Sequence, residues 1–334
     1  MEQSAYNRRR FIRTAAITGI GLGLAGRASA LFSGKQAGVG RRVGIIGLDT
    51  SHSVEFTKML NAKDADPAYH GFRVTAAYAQ GSKDIASSLE VVPGNLAKVK
   101  EFGVEIVDSI AALLEKVDVV LLESNDGRVH LEQAMPVLKT GKRVFIDKPI
   151  AASLADTKAL FKAAEKYKAP MFSSSGLRFI DSIQDVVKGK IGKVMGADVY
   201  TPSPTEKTHP DLFWYGIHGV EMLFTLMGTG CIRVTRTTSE TMDQVTGVWE
   251  DGRIGTLRGV IKGPYGFGGH AFGEKGIAPI GDFTSYHPLV LQITSFFETG
   301  IPPVRPEETL EIVAFMEAAD ESKRKKGAPV KMER

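Results

Sequence analysis

Between Arg42 and Ser174 the sequence alternates short, wholly apolar runs with longer amphipathic ones, and few folds accept that alternation. Arg42-Val43-Gly44-Ile45-Ile46-Gly47, Phe72 to Ala79, Glu105-Ile106-Val107, Val117 to Glu123, Val144 to Ile146 and Pro170 to Ser174 read as strands. Ser53 to Asn61, Ala86 to Phe102 (interrupted by Pro93-Gly94), Ser109 to Lys116, His130 to Thr140 and Leu154 to Lys168 read as the helices between them. A strand that is apolar on both faces must be covered on both faces, so the expected class is α/β with a right-handed, doubly wound parallel sheet. Ligands of such sheets bind outside the carboxyl ends of the strands.

The pattern changes from Leu177 onward. Val194 to Tyr200, Ile232 to Thr238, Gln244 to Glu250 and Gly255 to Ile261 read as strands, several alternating as in a half-exposed sheet. Leu212 to Met227 reads as a helix with Asp211 as N-cap and Gly228 as C-cap, Gly263 to Gly276 as a glycine-rich loop, and Glu307 to about Lys325 as a final helix. A chain of 334 residues implies about two domains. We expect a Rossmann-type domain over 41–176 and an α+β domain with an open, mainly antiparallel sheet over 177–334.

Charge excludes some partners. The formal net charge of +4 comes from the first thirty residues, which hold Arg8, Arg9, Arg10, Arg13 and Arg27 against Glu2. Removing them from 42 basic and 38 acidic residues leaves 37 of each, so nothing points to nucleic acid or to an anionic membrane surface. The single cysteine, Cys231, excludes an intrachain disulfide and a thiolate metal cluster. Residues 1–30 read as a twin-arginine export signal: the charged Asn7-Arg8-Arg9-Arg10-Phe11-Ile12-Arg13, a weakly apolar Thr14 to Gly26, then Ala28-Ser29-Ala30. That apolar stretch is too short to span a bilayer, so the expected location is periplasmic or exported, after a linker over 31–40 and without a stable membrane span.

One strand end carries chemistry. Val144-Phe145-Ile146 runs into Asp147-Lys148-Pro149, and Pro149 restricts Lys148 to extended backbone, presenting its ammonium toward a cleft. The alternative is a surface lysine in a turn. The Lys-Pro pair, with Asn125…His130 before it and Gly141-Lys142-Arg143-Val144 leading into the strand, resembles the Gfo/Idh/MocA oxidoreductases. Arg178-Phe179, Gly216-Ile217-His218-Gly219-Val220-Glu221 and Glu307-Glu308-Thr309 extend that likeness over nearly everything after Arg41. The resemblance implies NAD or NADP in the first domain, a sugar or polyol against the second domain's sheet, and self-association through that sheet's outer face. It also implies a cis Lys148–Pro149 bond, which proline permits. His218 would be the general base, with Lys148 polarising the forming carbonyl, and Lys148, Arg178, Trp214 and His218 would meet the substrate. His130 and Asn125 would help to build the cofactor pocket.

Two departures matter. The fingerprint G-x-G-x-x-G becomes Gly47-Leu48-Asp49-Thr50-Ser51-His52, so a carboxylate and an imidazole replace two glycines. Gly47, Thr50, Ser51, the helix N-terminus and a protonated His52 remain as phosphate ligands, while Asp49 opposes them. Gln80 or Ser82 stands where the family's ribose-binding acid is found. The family's D-x-G-x-H aspartate is Trp214 here, which leaves His218 without an evident orienting partner and offers a stacking face for a sugar ring. Glu123 is an unexpected acid near the expected nicotinamide site, acting as an acid or base or pairing with Lys148. His209, Asp211, His218 and Glu221 have the density of a metal site but read better as a cap, an acid and unrelated histidines, so no metal is expected. The leading expectation is an NAD(P)-dependent oxidoreductase with a tightly held cofactor. The alternatives are a redox-neutral sugar lyase or hydrolase using a bound nicotinamide, and a carbohydrate-binding relative that has lost the cofactor.

Overall fold

In a computed structural model, the protein is described over residues 40–281 and 283–333; the expected export signal and nearly all of the linker lie outside them. The first half contains β1 (Arg42–Ile46), α1 (Ser51–Asn61), β2 (Arg73–Tyr78), α2 (Ala86–Glu101), β3 (Glu105–Val107), α3 (Ile110–Lys116), β4 (Val119–Leu122), α4 (His130–Lys139), β5 (Val144–Ile146), α5 (Leu154–Tyr167) and β6 (Met171–Ser173). The second half adds α6 (Asp181–Val187), β7 (Val194–Pro202), α7 (Ile217–Met227), β8 (Cys231–Thr238), β9 (Met242–Trp249), β10 (Ile254–Val260), β11 (Gly268–Gly273), β12 (Gly276–Gly281), α8 (His287–Thr299), α9 (Pro306–Arg324) and β13 (Val330–Lys331).

Six strands form one sheet in the order β3-β2-β1-β4-β5-β6, every pair parallel. Strand order reverses beside β1, which opens a crevice at the carboxyl ends of β1 and β4. Each residue of β4 and β5 is buried, as continuous apolar strands between two helical layers require. The second sheet runs β12-β11-β7-β10-β9-β8-β13; β7 and β10 pair in parallel and the other neighbours antiparallel. The α/β class with a second, mainly antiparallel sheet is the architecture expected from the sequence.

Several local expectations give way. Helix α2 runs unbroken through Pro93, which faces solvent, where one missing backbone hydrogen bond is least costly. The segment expected as a glycine-rich loop is one only as far as Phe267, and from Gly268 it is the β11–β12 hairpin. Its glycines mark close packing: at Gly269, φ is +149° and a Cβ would lie 2.0 Å from the Asp198 carbonyl oxygen. Leu212–Gly216 forms a π-helical turn ahead of α7, and Asp211 makes no capping bond to it. Gly228 does end α7, with its N–H on the Phe224 carbonyl. Helix α8, which the sequence reading lacks, packs Leu289, Val290, Ile293, Phe296 and Phe297 against Val43, Phe72, Phe145 and Phe172 of the first sheet's core. Burying each such phenylalanine contributes about 1.5–3 kcal/mol. Among the described residues, no helix is long and apolar enough to cross a membrane.

Candidate active site

The β1–α1 turn sets one wall of the crevice. Gly47 has φ +89°, and a Cβ there would sit 2.5 Å from the Ser124 backbone nitrogen, so glycine is required twice over. Asp49, 3% exposed, accepts from the Ser82 N–H (3.0 Å) and the Asn125 N–H (3.0 Å), bridging the ends of β2 and β4. Burial raises its pKa, and those two amides pull the other way. The side chains leave the N-terminus of α1 uncapped, and the buried Thr50 hydroxyl has no partner. Ser51, exposed at the first turn, bonds Tyr286. Gln80 is half-buried and lines a hollow with Gly81, Lys83, Asp126 and Arg128.

His52 turns toward the neighbouring strand end. Its Nδ1 lies 2.9 Å from Asp147 Oδ2, at the end of β5, and its ring stacks on Phe56. His130 is a clamp: Nε2 donates to the Ser124 carbonyl (2.7 Å), and Nδ1 is 3.2 Å from the Ile150 carbonyl. Burial lowers its pKa, so it is neutral and its one N–H serves the shorter contact. It thereby ties the loop after β4 to the turn after β5, where the Lys148–Pro149 bond is cis.

A dry cluster of charges occupies the strand ends. Lys148 is 7% exposed, with Nζ 3.6 Å from Asp147 Oδ2; Glu123, at the end of β4, is fully buried with Oε2 3.9 Å from His52 Nδ1. Neither Glu123 oxygen has a hydrogen-bond partner, nor has Asp147 Oδ1. Burial, then Asp147 and Asp49, push Glu123 well above the usual carboxylate range, with Lys148 opposing. Burial also works against ionised Asp147, but His52 and Lys148 outweigh it and its pKa falls. The two carboxyl groups are therefore pushed apart, Glu123 toward its neutral form and Asp147 toward its ionised one. Tyr286 packs edge-on against His52 at 4.7 Å, and burial pushes its phenol up to about 12.

His218 approaches from the second half of the chain. It lies in the first turn of α7, 9% exposed, and Nδ1 is 2.7 Å from Ser175 Oγ in the turn after β6. Ser175 is the orienting partner the sequence reading did not find; nothing distinguishes it from Ser173 and Ser174 until the fold brings it to His218. Burial, then the charges of Lys148 and His52, hold His218 well below its ordinary pKa, so it is neutral near pH 7. Tyr215 and Phe267 wall its ring at 4.9 and 5.8 Å.

Of the expected substrate ligands, Arg178 is committed elsewhere. Arg178 gives Nε to Glu221 (2.8 Å) and NH1 to Glu308 (2.6 Å), with NH2 2.7 Å from Glu221; it ties the turn after β6 to α7 and α9 rather than facing the cleft. Trp214 is half-buried against His209 (ring centroids 5.0 Å apart), and His209 Nε2 is 3.0 Å from Asp126. Asp211 accepts from Arg236 and Lys323, and Glu221 is taken by Arg178, so the His209–Asp211–His218–Glu221 grouping disperses. What the fold does bring together is His52, Glu123, Asp147, Lys148 and, through its field, His218.

This crevice can take a dinucleotide at its phosphate end. The uncapped α1 N-terminus and the partnerless Thr50 hydroxyl are donors awaiting an anion, and Asp49's charge is met by two amides. Known proteins agree with that frame. Residues 41–175 match the Gfo/Idh/MocA oxidoreductase family, described by its NAD-binding Rossmann fold. A comparison with curated proteins finds no match. Among solved structures, the fold is similar to a probable dehydrogenase from Thermotoga maritima (TM-score 0.72, 20% identity, covering 87% of this chain and 98% of that one). It is similar as well to myo-inositol 2-dehydrogenase from Lactobacillus plantarum (0.71, 17%, 87% and 99%). A third is scyllo-inositol dehydrogenase from Lactobacillus casei with bound NAD(H) and scyllo-inositol (0.68, 16%, 87% and 98%). Over residues 41–175, the chain is thus similar to the Gfo/Idh/MocA oxidoreductase family with its NAD-binding Rossmann fold.

Proposed function

We propose that the protein is an exported NAD(P)-dependent oxidoreductase acting on a sugar, polyol or glycoside, with its reacting carbon between Lys148 and His218. The observation that carries this reading is a buried, Ser175-held imidazole that feels the charge of a buried lysine at the strand ends of a Rossmann sheet. Gly47, Thr50, Ser51 and the α1 amides would hold the diphosphate, and Gln80, Ser82 and Asn125 the adenosine half. When bound, the nicotinamide supplies a hydride acceptor for the substrate carbon.

The chain's own residues supply the proton chemistry. If Ser175 Oγ accepts from His218 Nδ1–H, the Nε2 lone pair is free to take the substrate hydroxyl proton. Lys148 donates to the same oxygen as it becomes a carbonyl, in surroundings that Tyr215, Phe267 and Tyr286 keep dry. Polyol recognition by the inositol dehydrogenases of the same fold supports the substrate class. For an exported enzyme, a cofactor that is retained and recycled fits best, including redox-neutral turnover through a transient ketone. Asp49 favours a second reading, a carbohydrate-binding relative without cofactor, because the two amides it occupies are no longer free for a ligand.

One experiment decides between them. The natively exported protein is denatured and its supernatant assayed for NAD(H) and NADP(H) by absorbance and mass spectrometry, with titration of the refilled protein alongside. We expect about one nicotinamide per chain, and Lys148→Met lowering kcat by about 10²–10⁴. No release and no binding would remove the dehydrogenase reading; unchanged turnover in Lys148→Met would remove the site assignment.

A further inference from the structure

The group of buried charges at the strand ends has more acceptor capacity than the protein fills. Glu123 and Asp147, both fully buried, lie there beside His52, with Lys148 Nζ 3.6 Å from Asp147 Oδ2. Glu123 is fully buried with both oxygens unpartnered, and its Oε2 points to the same His52 nitrogen that contacts Asp147. Asp147 Oδ1 is a further buried acceptor without a donor. Buried carboxylate oxygens normally find donors, so three such atoms on the two acids that face one imidazole call for a ligand.

We propose that His52, Glu123 and Asp147 bind one divalent transition-metal ion, of the Mn²⁺ or Zn²⁺ kind, beside Lys148. One ligand atom from each residue lies within 4.8 Å of the other two, the shortest separations from His52 Nδ1 being 2.9 Å to Asp147 and 3.9 Å to Glu123. Metal–ligand bonds of about 2.1 Å place ligand atoms roughly 3.0–3.4 Å apart, so the side chains need only small movements to close on an ion. One imidazole nitrogen with carboxylate oxygens is a donor set for manganese, iron or zinc rather than for copper or a thiolate-bound metal. Glu123 and Asp147 come from the carboxyl ends of β4 and β5 and His52 from the first turn of α1, and His52, 7% exposed, offers the entry edge. This inference does not depend on hydride transfer or on a bound dinucleotide.

The test uses the full mature chain, stripped with chelator and titrated with Mn²⁺ by electron paramagnetic resonance and with Zn²⁺ by calorimetry. We expect one ion per chain, with nitrogen coupling from a single imidazole on bound Mn²⁺. Glu123→Gln and His52→Gln should each weaken binding by at least about tenfold, and His52→Gln should remove the nitrogen coupling. Asp211→Asn, in the grouping that disperses, should bind as wild type does. Wild-type protein that takes up neither ion, or Glu123→Gln that binds equally well, overturns the proposal. Should a variant fail to fold by circular dichroism, the wild-type spectrum decides alone, and bound Mn²⁺ without nitrogen coupling overturns it. NAD(H) titration of the same sample separates the two readings. Mn²⁺ without NAD(H) removes the oxidoreductase reading only, and NAD(H) without either metal ion removes the metal site only.

Discussion

Two buried ionic clusters in this molecule are built to opposite rules. Around Arg236, 1% exposed, every arm of the guanidinium is used: Nε and NH2 clasp Asp243 at 2.9 and 2.7 Å, NH2 also reaches Asp211 at 3.0 Å, and NH1 bonds Asp320. Thr238 completes Asp243 at 2.7 Å, and Lys323 completes Asp211. At the strand ends, Glu123 and Asp147 leave three oxygens without donors. Desolvation has to be offset in both places. A network that only holds β8, β9 and α9 together closes all its valences, whereas one that keeps acceptors open carries a standing cost that folding alone does not explain. The contrast separates scaffold from site without reference to any relative.

Opposite signs on mutation are the strongest way to break that comparison. Arg236→Met strips the cation from three carboxylates and should cost about 3–5 kcal/mol of stability, read as a lower denaturation midpoint with unchanged slope. Glu123→Gln should do the reverse in metal-free protein. An acid whose folded pKa is raised loses stability as pH climbs from the ordinary carboxylate range through the raised value. Glutamine cannot ionise, so the variant's stability should stay flat over that window and exceed wild type above it, by about 1–3 kcal/mol. If both variants destabilise alike at neutral pH, the two clusters are the same kind of object and the contrast is lost.

How far the sequence discloses these regions depends on whether the signal is local. The parallel sheet was legible because its strands are apolar on both faces over a few consecutive residues, as in Val119–Leu122 and Val144–Ile146. Lys148 and His218 stood out as a polar strand end and a polar residue on an apolar helix. The β11–β12 hairpin was hidden because Gly268, Gly269 and Gly273 serve close packing there, which in a bare sequence looks like a flexible loop. Helix α8 was hidden because the surface that its apolar side chains cover lies on the first sheet, far away in the chain. Ser175 reaches His218 across 43 residues, and Asp211, which has a cap's position, instead serves an arginine 25 residues on. Partner choice between distant polar groups is a tertiary decision that no local pattern encodes.

Asp49 lies between the two extremes and gives the finest test. Its carboxylate sits in the crevice, close enough to act on Glu123, yet it is satisfied by the Ser82 and Asn125 amides. If the crevice binds a dinucleotide, this charge opposes the diphosphate, and Asp49→Asn should lower the Kd for NAD(H) roughly tenfold, about 1.4 kcal/mol. The same change leaves one amide facing an NH₂ group, so a modest fall in melting temperature should accompany the gain. Because burial raises the Asp49 pKa, wild-type affinity should improve as pH falls through that raised value, while the asparagine variant stays flat over the same range. Calorimetric titration of both proteins across pH reads the two effects together. An asparagine variant that binds NAD(H) no better, with the wild-type pH dependence, would show that the two amides fully absorb the charge and that Asp49 belongs with Arg236 as scaffold.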